Sequence, residues 1–381
     1  MAASSSSSRP NIHSLPEQIL IQILVTLPAK SLLQLRSTCK SWYSLITDRT
    51  FIDAHLKYQT SSTNNYLLLR YKYELHNNYN VCYSIRYDDE SFAQYFQPEL
   101  PLDFKNLDIY GSCNGLVCLS ERPLTASSTI YLWNPALRIL KTLPKSQIID
   151  LPVDTHSTFI AFGFDYRGND YKVVKFVCVR PATDDPSNTP FLVEVYSLST
   201  DSWRKIDVSA PSCCIADWQP TIMNGAAYWT AYRKTEGKLV YSLLQFGMCD
   251  EVFTEVMLPE GSARCRYPCI TVFGESLCLY NFGWSTLCEC DVWTMECCKM
   301  GTWTKRCTVN FSDLNLTQIG FRRNGELLQV NHKNDLVSYN LENQQATDTG
   351  IHARRISYLH SYVESLVLLD KGDSFFTSSS S

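Results

Sequence analysis

The residues of this chain that could do chemistry most directly are its sixteen cysteines. Nine of them fall between Cys249 and Cys307, and Cys265-x3-Cys269 has the spacing of one zinc knuckle. A structural zinc site usually takes two such pairs, and the second pair is missing. The serine-rich stretch after Met1 has no apolar signal core that would send the chain to an oxidising compartment. We therefore expect reduced, buried thiols, with no metal and no other cofactor.

Catalytic motifs are absent from the sequence. It contains no His-Glu-x-x-His, no Gly-x-Ser-x-Gly and no Gly-x-Gly-x-x-Gly. Gly163 and Gly168 have the spacing of a phosphate-binding loop, but Asn169 stands where that loop requires lysine. The seven histidines are scattered along the chain. These observations favour a binding protein over an enzyme.

Composition limits the function further. The 381 residues leave room for one large domain and a small one, and 45% of them are apolar, which is enough for a sizeable core. The net charge of −4 argues against nucleic acid or an anionic membrane as the main partner. No apolar run is long enough for a transmembrane helix. We expect a cytoplasmic or nuclear protein with disordered tails at 1–11 and 371–381.

Helical periodicity marks residues 12–58. Ser14 and Glu17 have the spacing of a capping box at a helix start, and apolar residues follow at helical intervals. The pattern predicts three short helices. They carry more large apolar side chains than three short helices can bury, so this face either docks on the rest of the chain or binds a partner. The pattern alone leaves both readings open.

From residue 66 to about 370 the pattern changes to short apolar strands between polar turns. A glycine followed by an apolar run recurs at Gly115, Gly168, Gly225, Gly274 and Gly325, at intervals of 53, 57, 49 and 51 residues. A period near 50 is typical of kelch-type propeller blades. Each unit supplies four strands, which makes one blade.

Five such units leave one unpaired strand region at each end of the body. We expect these ends to share a sixth blade and close the ring. The predicted fold is thus an α+β multidomain protein: a small three-helix head followed by an all-β, propeller-like domain of six blades. A β-sandwich or an incomplete propeller remains the alternative, because the chain has no Gly-Gly dipeptide.

Two family resemblances follow from these segments. Leu15-Pro16-Glu17-x-Ile19-Leu20-x-x-Ile23-Leu24-x-x-Leu27-Pro28, followed by Leu35-Arg36-Ser37-Thr38-Cys39-Lys40-Ser41-Trp42, resembles a plant-type F-box. The phrases Ser112-Cys-Asn-Gly-Leu-Val-Cys-Leu119, Leu132-Trp-Asn-Pro-Ala136 and Asn224-Gly-x-x-Tyr-Trp229 resemble the F-box-associated, type 1, kelch-like domain of plant F-box proteins.

The first resemblance implies that the head binds a Skp-type adaptor and, through it, a cullin–RING ubiquitin ligase. The adaptor-contacting or core residues that it implies are Leu15, Pro16, Ile19, Leu20, Ile23, Leu24, Leu27, Pro28, Leu33, Leu35, Arg36, Cys39 and Trp42. The protein would then be a non-catalytic, substrate-recognition subunit of an SCF-type ligase that recruits an unknown target for ubiquitination and proteasomal degradation. The alternative is a propeller enzyme or sugar-binding protein with a helical oligomerisation head.

Long connections suggest where the target binds. Strand alternation in a four-stranded blade puts the connections 144–159, 179–190, 208–223 and 259–270 on one face of the ring. Long loops on a rigid scaffold often carry recognition. Side chains of the types enriched at binding hot spots lie in them: Trp218, Arg264, Arg266 and Tyr267. The other reading is that these segments are variable linkers.

Overall fold

The computed structural model describes most of the chain. The described ranges are 16–61, 66–75, 78–100, 107–148, 156–179, 191–208, 213–236, 238–260, 265–283, 289–296, 301–310, 320–331 and 333–368. The predicted disordered tails, Leu15 and Arg264 lie outside them. Within these ranges no helix is long and apolar enough to cross a membrane.

The N-terminal unit, which we call the head, has four helices rather than three. They are α1 (Glu17–Leu24), α2 (Ala29–Arg36), α3 (Lys40–Thr47) and α4 (Arg49–Ser61). Pro16 and Pro28 are the N-cap residues of α1 and α2, where proline's fixed φ suits a helix start and its missing N–H costs nothing. The predicted capping partner Ser14 lies outside the described residues. The helix beyond the three predicted ones, α4, is the longest of the head.

The strands that follow the head in the described ranges form six antiparallel sheets, which are the blades of the propeller. Blade 1 contains β1 (Tyr66–Leu75), β2 (Asn78–Tyr87), β3 (Gln94–Phe96) and β25 (Arg355–Tyr362). Blade 2 contains β4 (Asp108–Cys113), β5 (Leu116–Ser120), β6 (Ile130–Asn134) and β7 (Ile139–Thr142). Blade 3 contains β8 (His156–Asp165), β9 (Asp170–Val179), β10 (Phe191–Ser197) and β11 (Ser202–Ile206).

Blade 4 contains five strands: β12 (Cys214–Ile215), β13 (Thr221–Met223), β14 (Ala226–Thr235), β15 (Lys238–Gly247) and β16 (Phe253–Met257). Blade 5 contains β17 (Cys265–Phe273), β18 (Ser276–Gly283), β19 (Glu289–Glu296) and β20 (Thr304–Asn310). Blade 6 contains β21 (Gly320–Phe321), β22 (Leu327–Val330), β23 (Asp335–Tyr339) and β24 (Ala346–His352).

The two ends of the body close the ring, which confirms the six-bladed propeller. β25 pairs antiparallel with β1 in a register that runs from Tyr66 opposite Tyr362 to Lys72 opposite Arg355. Blade 1 thus takes its inner strand from the C-terminal end of the body and its other three strands from the N-terminal end. This pairing removes the open edges that a sandwich or an incomplete ring would leave.

The recurring glycines mark one particular turn. Gly115, Gly225, Gly274 and Gly325 lie between the first and second strands of their blades, with φ values of +79°, +71°, +58° and +86°. Glycine is favoured there because a side chain is strained at positive φ. The sequence repeat therefore begins at the second strand of each blade. Blade 1 follows the same division, since its second, third and fourth strands come from the N-terminal end of the body and its first strand comes from the C-terminal end.

Strand alternation gives the ring two different faces. Turns between the first and second strands and between the third and fourth strands lie on one face, which we call the short-turn face. Connections between blades and between second and third strands lie on the other, the long-loop face. Near the ring axis the inner strands pack closely, since a Cβ added to Gly111 of β4 would lie 3.1 Å from the Phe162 carbonyl and 3.3 Å from Ile222.

Candidate functional site

The head lies against the short-turn face of blades 2 and 3. The Arg49 guanidinium of α4 donates to the Asn169 carbonyl in the β8–β9 turn at 3.3 Å. A small cavity lies between the head and the ring. Ile52 lines it on the head side, and Tyr171 and Ser199 are among the residues that line it on the ring side. All of these ring residues belong to turns of the short-turn face or to strand ends beside them. The long-loop face is therefore opposite the head.

One side of the head is buried in this contact. Leu24, Ile46 and Phe51 are at most 3% exposed and share a core cluster with Leu116 and Leu132 of blade 2. Burying each such side chain contributes about 1.5–3 kcal/mol. The sequence left open whether the apolar residues of the head dock on the rest of the chain or bind a partner. Burial in this shared core accounts for some of these residues.

The other side of the head, which we call the open side, carries large apolar groups that face solvent. Ile19 and Ile23, one helical turn apart on α1, are 42% and 50% exposed, and Tyr43 of α3 is 51% exposed. Pro16 is exposed beside them. The Arg36 guanidinium lies 4.5 Å from the centre of the Tyr43 ring, which adds a cation–π contact at this surface. An apolar face of this kind is what a partner would cover.

The structure divides the predicted adaptor residues by exposure. Exposed are Pro16, Ile19, Ile23, Pro28 and Cys39. Half-buried are Leu20, Leu27, Leu33, Leu35, Arg36 and Trp42. Leu24 is buried in the core cluster that the head shares with the ring domain, and so is not part of the open side. Tyr43 is an addition that the motif did not point to, because a single aromatic residue in a short helix carries no signal of which side it faces.

A buried histidine links α4 to the connection between α1 and α2. His55 of α4 is fully buried, and its Nε2 lies 3.1 Å from the Leu27 carbonyl in the α1–α2 connection. Gln59 donates to the Val25 carbonyl at 3.4 Å. Burial lowers the pKa of His55, whereas its hydrogen bond to the Leu27 carbonyl acts in the opposite direction. The imidazole is therefore neutral near pH 7. These contacts fix the connection that sets α1 relative to α2.

At the long-loop end of the ring, a bulge enters the central channel. The inner strand of blade 4 is interrupted between β12 and β13 by residues 216–220. The Gln219 side-chain amide donates to the Ser357 carbonyl at 2.8 Å and to the Ile109 carbonyl at 3.4 Å. These acceptors belong to the inner strands of blades 1 and 2. The bulge therefore fills the place where many propellers have an open channel.

Trp218 lies on this bulge and is half-buried rather than an exposed loop anchor. Its ring packs edge-on against Tyr110 at 5.3 Å between centroids, and the Arg122 guanidinium lies 4.3 Å from its centre. The sequence showed a tryptophan in a long connection but not that the connection turns into the channel. Arg266 and Tyr267 lie in β17, and their side chains are outside the described residues, as is the whole of Arg264.

Charged residues surround this end of the ring, and no sequence motif marks them. Arg122 pairs with Asp108 at 3.4 Å, and Asp108 also pairs with the buried Arg70 at 2.6 Å. Burial raises the pKa of Asp217, while backbone donors and the positive charges of Arg122 and Arg355 oppose that rise. Isolated arginines between strands carry no motif, so only the closed ring shows that they converge.

The hairpin formed by β14 and β15 extends this face outward. Its last pairs, from Arg233 opposite Val240 to Thr235 opposite Lys238, lie beyond the residues that pair with β12 and β16. Lys234 and Lys238 are exposed at its tip, and Leu239 is 53% exposed. The hairpin presents two lysines, the carboxylate of Glu236 and one apolar side chain to solvent.

The cysteines are distributed through the blades. Within the described ranges, no three histidine, cysteine or acidic side chains are grouped so that they could hold a metal ion. Several thiols are buried between strands, among them Cys118 and Cys278. Burial raises the pKa of Cys113 and, with a contribution from Asp217, that of Cys269, each to about 12. Such thiols are protonated at neutral pH and poor metal ligands or nucleophiles.

Comparison with known proteins assigns both parts of the chain. The profile of the F-box associated beta propeller domain matches residues 74–369, and the profile of the F-box-like domain matches residues 12–55. The chain belongs to the F-box proteins that carry an F-box-associated propeller domain. The head is therefore its F-box, and the ring is its F-box-associated domain.

Relatives and solved structures were also found. This F-box protein is 30% identical to F-box protein CPR1 of Arabidopsis thaliana over 94% of its own length and 90% of that protein. It is 28% identical to F-box/kelch-repeat protein At3g23880 of the same plant, over 77% of its own length and 79% of the relative. TolB from Acinetobacter baumannii superposes with a TM-score of 0.43 at 9% identity, over 83% of this chain and 73% of that one.

Proposed function

We propose that this F-box protein is the substrate-recognition subunit of an SCF-type ubiquitin ligase. The observation that carries the proposal is the two-sided head. On one side Leu24, Ile46 and Phe51 are buried in a core cluster that the head shares with the ring domain, while Ile19, Ile23 and Tyr43 face solvent on the other. A Skp-type adaptor would cover the open side and link the chain to a cullin–RING ligase. The chain would hold a target without transforming it, so that the target is ubiquitinated and degraded.

The test is adaptor binding by the full chain with Ile19→Ala and Ile23→Ala together. Each large apolar side chain that becomes buried contributes about 1.5–3 kcal/mol, so we expect affinity for a purified Skp-type adaptor to fall about a hundredfold or more. Leu239→Ala, which removes an equally exposed apolar group from the ring, is the matched control and should bind normally. Isothermal titration calorimetry measures the adaptor affinity of the double variant and of the control. Unchanged adaptor affinity in the double variant would contradict the proposal.

We also propose that the target binds the long-loop face. The support is spatial, because the head contacts the short-turn end of blade 3 and leaves the opposite face open. On that face lie the projecting β14–β15 hairpin and the Trp218–Arg122 pair. The same proposal keeps Arg264, Arg266 and Tyr267 as target-binding candidates: Arg266 and Tyr267 lie near the start of β17, and Arg264 lies outside the described residues.

A further inference from the structure

The segment that follows the last strand lies between the head and the ring. We call residues 363–368 the strap. Its residues from Glu364 to Leu368 are at most 8% exposed. The strap begins directly after Tyr362, the residue of β25 that pairs with Tyr66 to close blade 1. One continuous piece of chain therefore closes the ring and then passes beneath the head.

Contacts with blade 2 hold the strap to the ring. The side-chain amide of Asn134, itself fully buried, donates to the Ser365 carbonyl at 3.0 Å and to the Val367 carbonyl at 2.9 Å. A Cβ added to Gly115 would lie 2.5 Å from the Ser365 hydroxyl oxygen and 2.7 Å from the Val363 carbonyl. Such close approach requires glycine in this turn.

Other contacts hold the strap to the head. The Glu364 carboxylate accepts the backbone N–H of Ala29, the first residue of α2, at 3.1 Å, and the Tyr95 hydroxyl of blade 1 at 3.1 Å. A carboxylate at a helix N-terminus is favoured by the free amides and the helix dipole. Leu366, Val367 and Leu368 share a core cluster with Leu24, Val25, Phe51 and Ile52 of the head.

We propose that the strap is the element that fixes the orientation of the adaptor-binding head on the ring, with Glu364 as its positioning residue. This inference rests on the proposed function for the meaning of that orientation. The covalent link between α4 and β1 is short, and one link alone does not set an angle. Contacts that join the strap to α2 on one side and to Asn134 and Gly115 on the other do set it. Because the strap continues β25, the head is held only when the ring is closed.

The test compares the wild-type chain with Glu364→Ala, Glu364→Gln and a chain that ends after Tyr362. Amide exchange at Ala29 should become about ten- to a hundredfold faster in Glu364→Ala, which is the range for a hydrogen bond to a charged group. Glu364→Gln keeps a carbonyl acceptor and should restore most of the protection. The shortened chain should keep slow exchange in β1 and β25, while exchange in the head rises and the maximum dimension from small-angle scattering grows.

Adaptor affinity separates this inference from the proposed function. The open face of α1 and α3 is untouched in these variants, so binding of a purified Skp-type adaptor should stay within about twofold of the wild type while the head loosens. Equal exchange at Ala29 in wild type and Glu364→Ala would overturn the positioning role. Loss of protection in head and ring together in the shortened chain would overturn it too. Failure of the wild-type chain to bind the adaptor would instead overturn only the proposed function.

Discussion

At the residue scale, a buried lysine ties two connections of the long-loop face together. Lys175 of β9 is 1% exposed and donates to the Ser146 hydroxyl at 2.6 Å and the Ile148 carbonyl at 3.1 Å, as well as to the Ala126 carbonyl. Glu194, also buried, accepts the Ser146 hydroxyl at 2.5 Å. Ser146 thus bridges a cation and an anion that fix the base of both connections.

The contribution of Lys175 to stability should grow at alkaline pH. Burial lowers its pKa to about 8, whereas an unfolded lysine titrates near 10.4. Between these values the unfolded chain holds the proton that the folded chain has released, so unfolding becomes less favourable as pH rises. We expect the change in unfolding free energy between pH 7.5 and 9.5 to be about 1–2 kcal/mol less favourable in Lys175→Met than in the wild type, because buried thiols such as Cys113 and Cys269 lower the stability of both over the same range. Urea denaturation at both pH values measures it.

The control for this prediction is Lys57→Met, which removes an exposed lysine from α4 and should keep the wild-type dependence on pH. An identical pH dependence in Lys175→Met and Lys57→Met would show that Lys175 does not titrate in this range.

Residue spacing predicted the apolar stripe of the head but not its division. Ile23 and Leu24 are adjacent in sequence and equally apolar, yet one is 50% exposed and the other 3%. What separates them is contact with the ring and with a strap that lies more than 300 residues later in the chain. A helical pattern reports which residues share a face, and it carries no information on what covers that face. The partial burial of Trp218 could not be read from the sequence for the same reason, since its neighbours Tyr110 and Arg122 are distant in sequence.

At the scale of elements, the glycine period located the blades because it reflects a local requirement. A tight turn at positive φ needs glycine wherever it occurs, so Gly225 and Gly325 repeat with the turn. The bulge at residues 216–220 could not be foreseen, since it is set by Gln219 finding acceptors on the inner strands of two other blades. Local turn chemistry was readable, and contacts between blades were not.

The long-loop face gives a prediction at this scale. We expect reversal of its exposed charges by Lys234→Glu, Lys238→Glu and Arg355→Glu to reduce the set of proteins that co-purify with the full chain from plant extract, with adaptor recovery unchanged. Charge at the rim of an interface governs which partners associate and how fast. Quantitative mass spectrometry of the captured proteins measures the effect.

The matched control reverses exposed charges on the short-turn face, through Arg138→Glu and Arg167→Glu. If the control loses the same partners and the long-loop variant keeps them, the target binds the face that carries the head.

At the scale of the whole molecule, the six-bladed ring depends on pairing between its ends. A chain that stops before Tyr358 loses most of β25 and leaves β1 with an unpaired inner edge. Exposed strand edges pair with other chains, so we expect this truncated protein to aggregate. A chain ending after Leu368 keeps β25 and the strap and should stay monomeric. Size-exclusion chromatography with light scattering distinguishes the two. A monomeric, folded product from the shorter chain would mean that closure contributes little.

Closure by the last strand also has a consequence for how the chain is made. The head leaves the ribosome before the ring, and β25 and the strap come roughly 300 residues after it. At about 5–20 residues per second, the head waits about 15–60 seconds for the segment that covers Leu24 and Phe51. During that interval its open side is already complete, so an adaptor could bind a nascent chain whose ring has not yet closed. If the head binds an adaptor as proposed, that assembly could thus begin before the long-loop face exists.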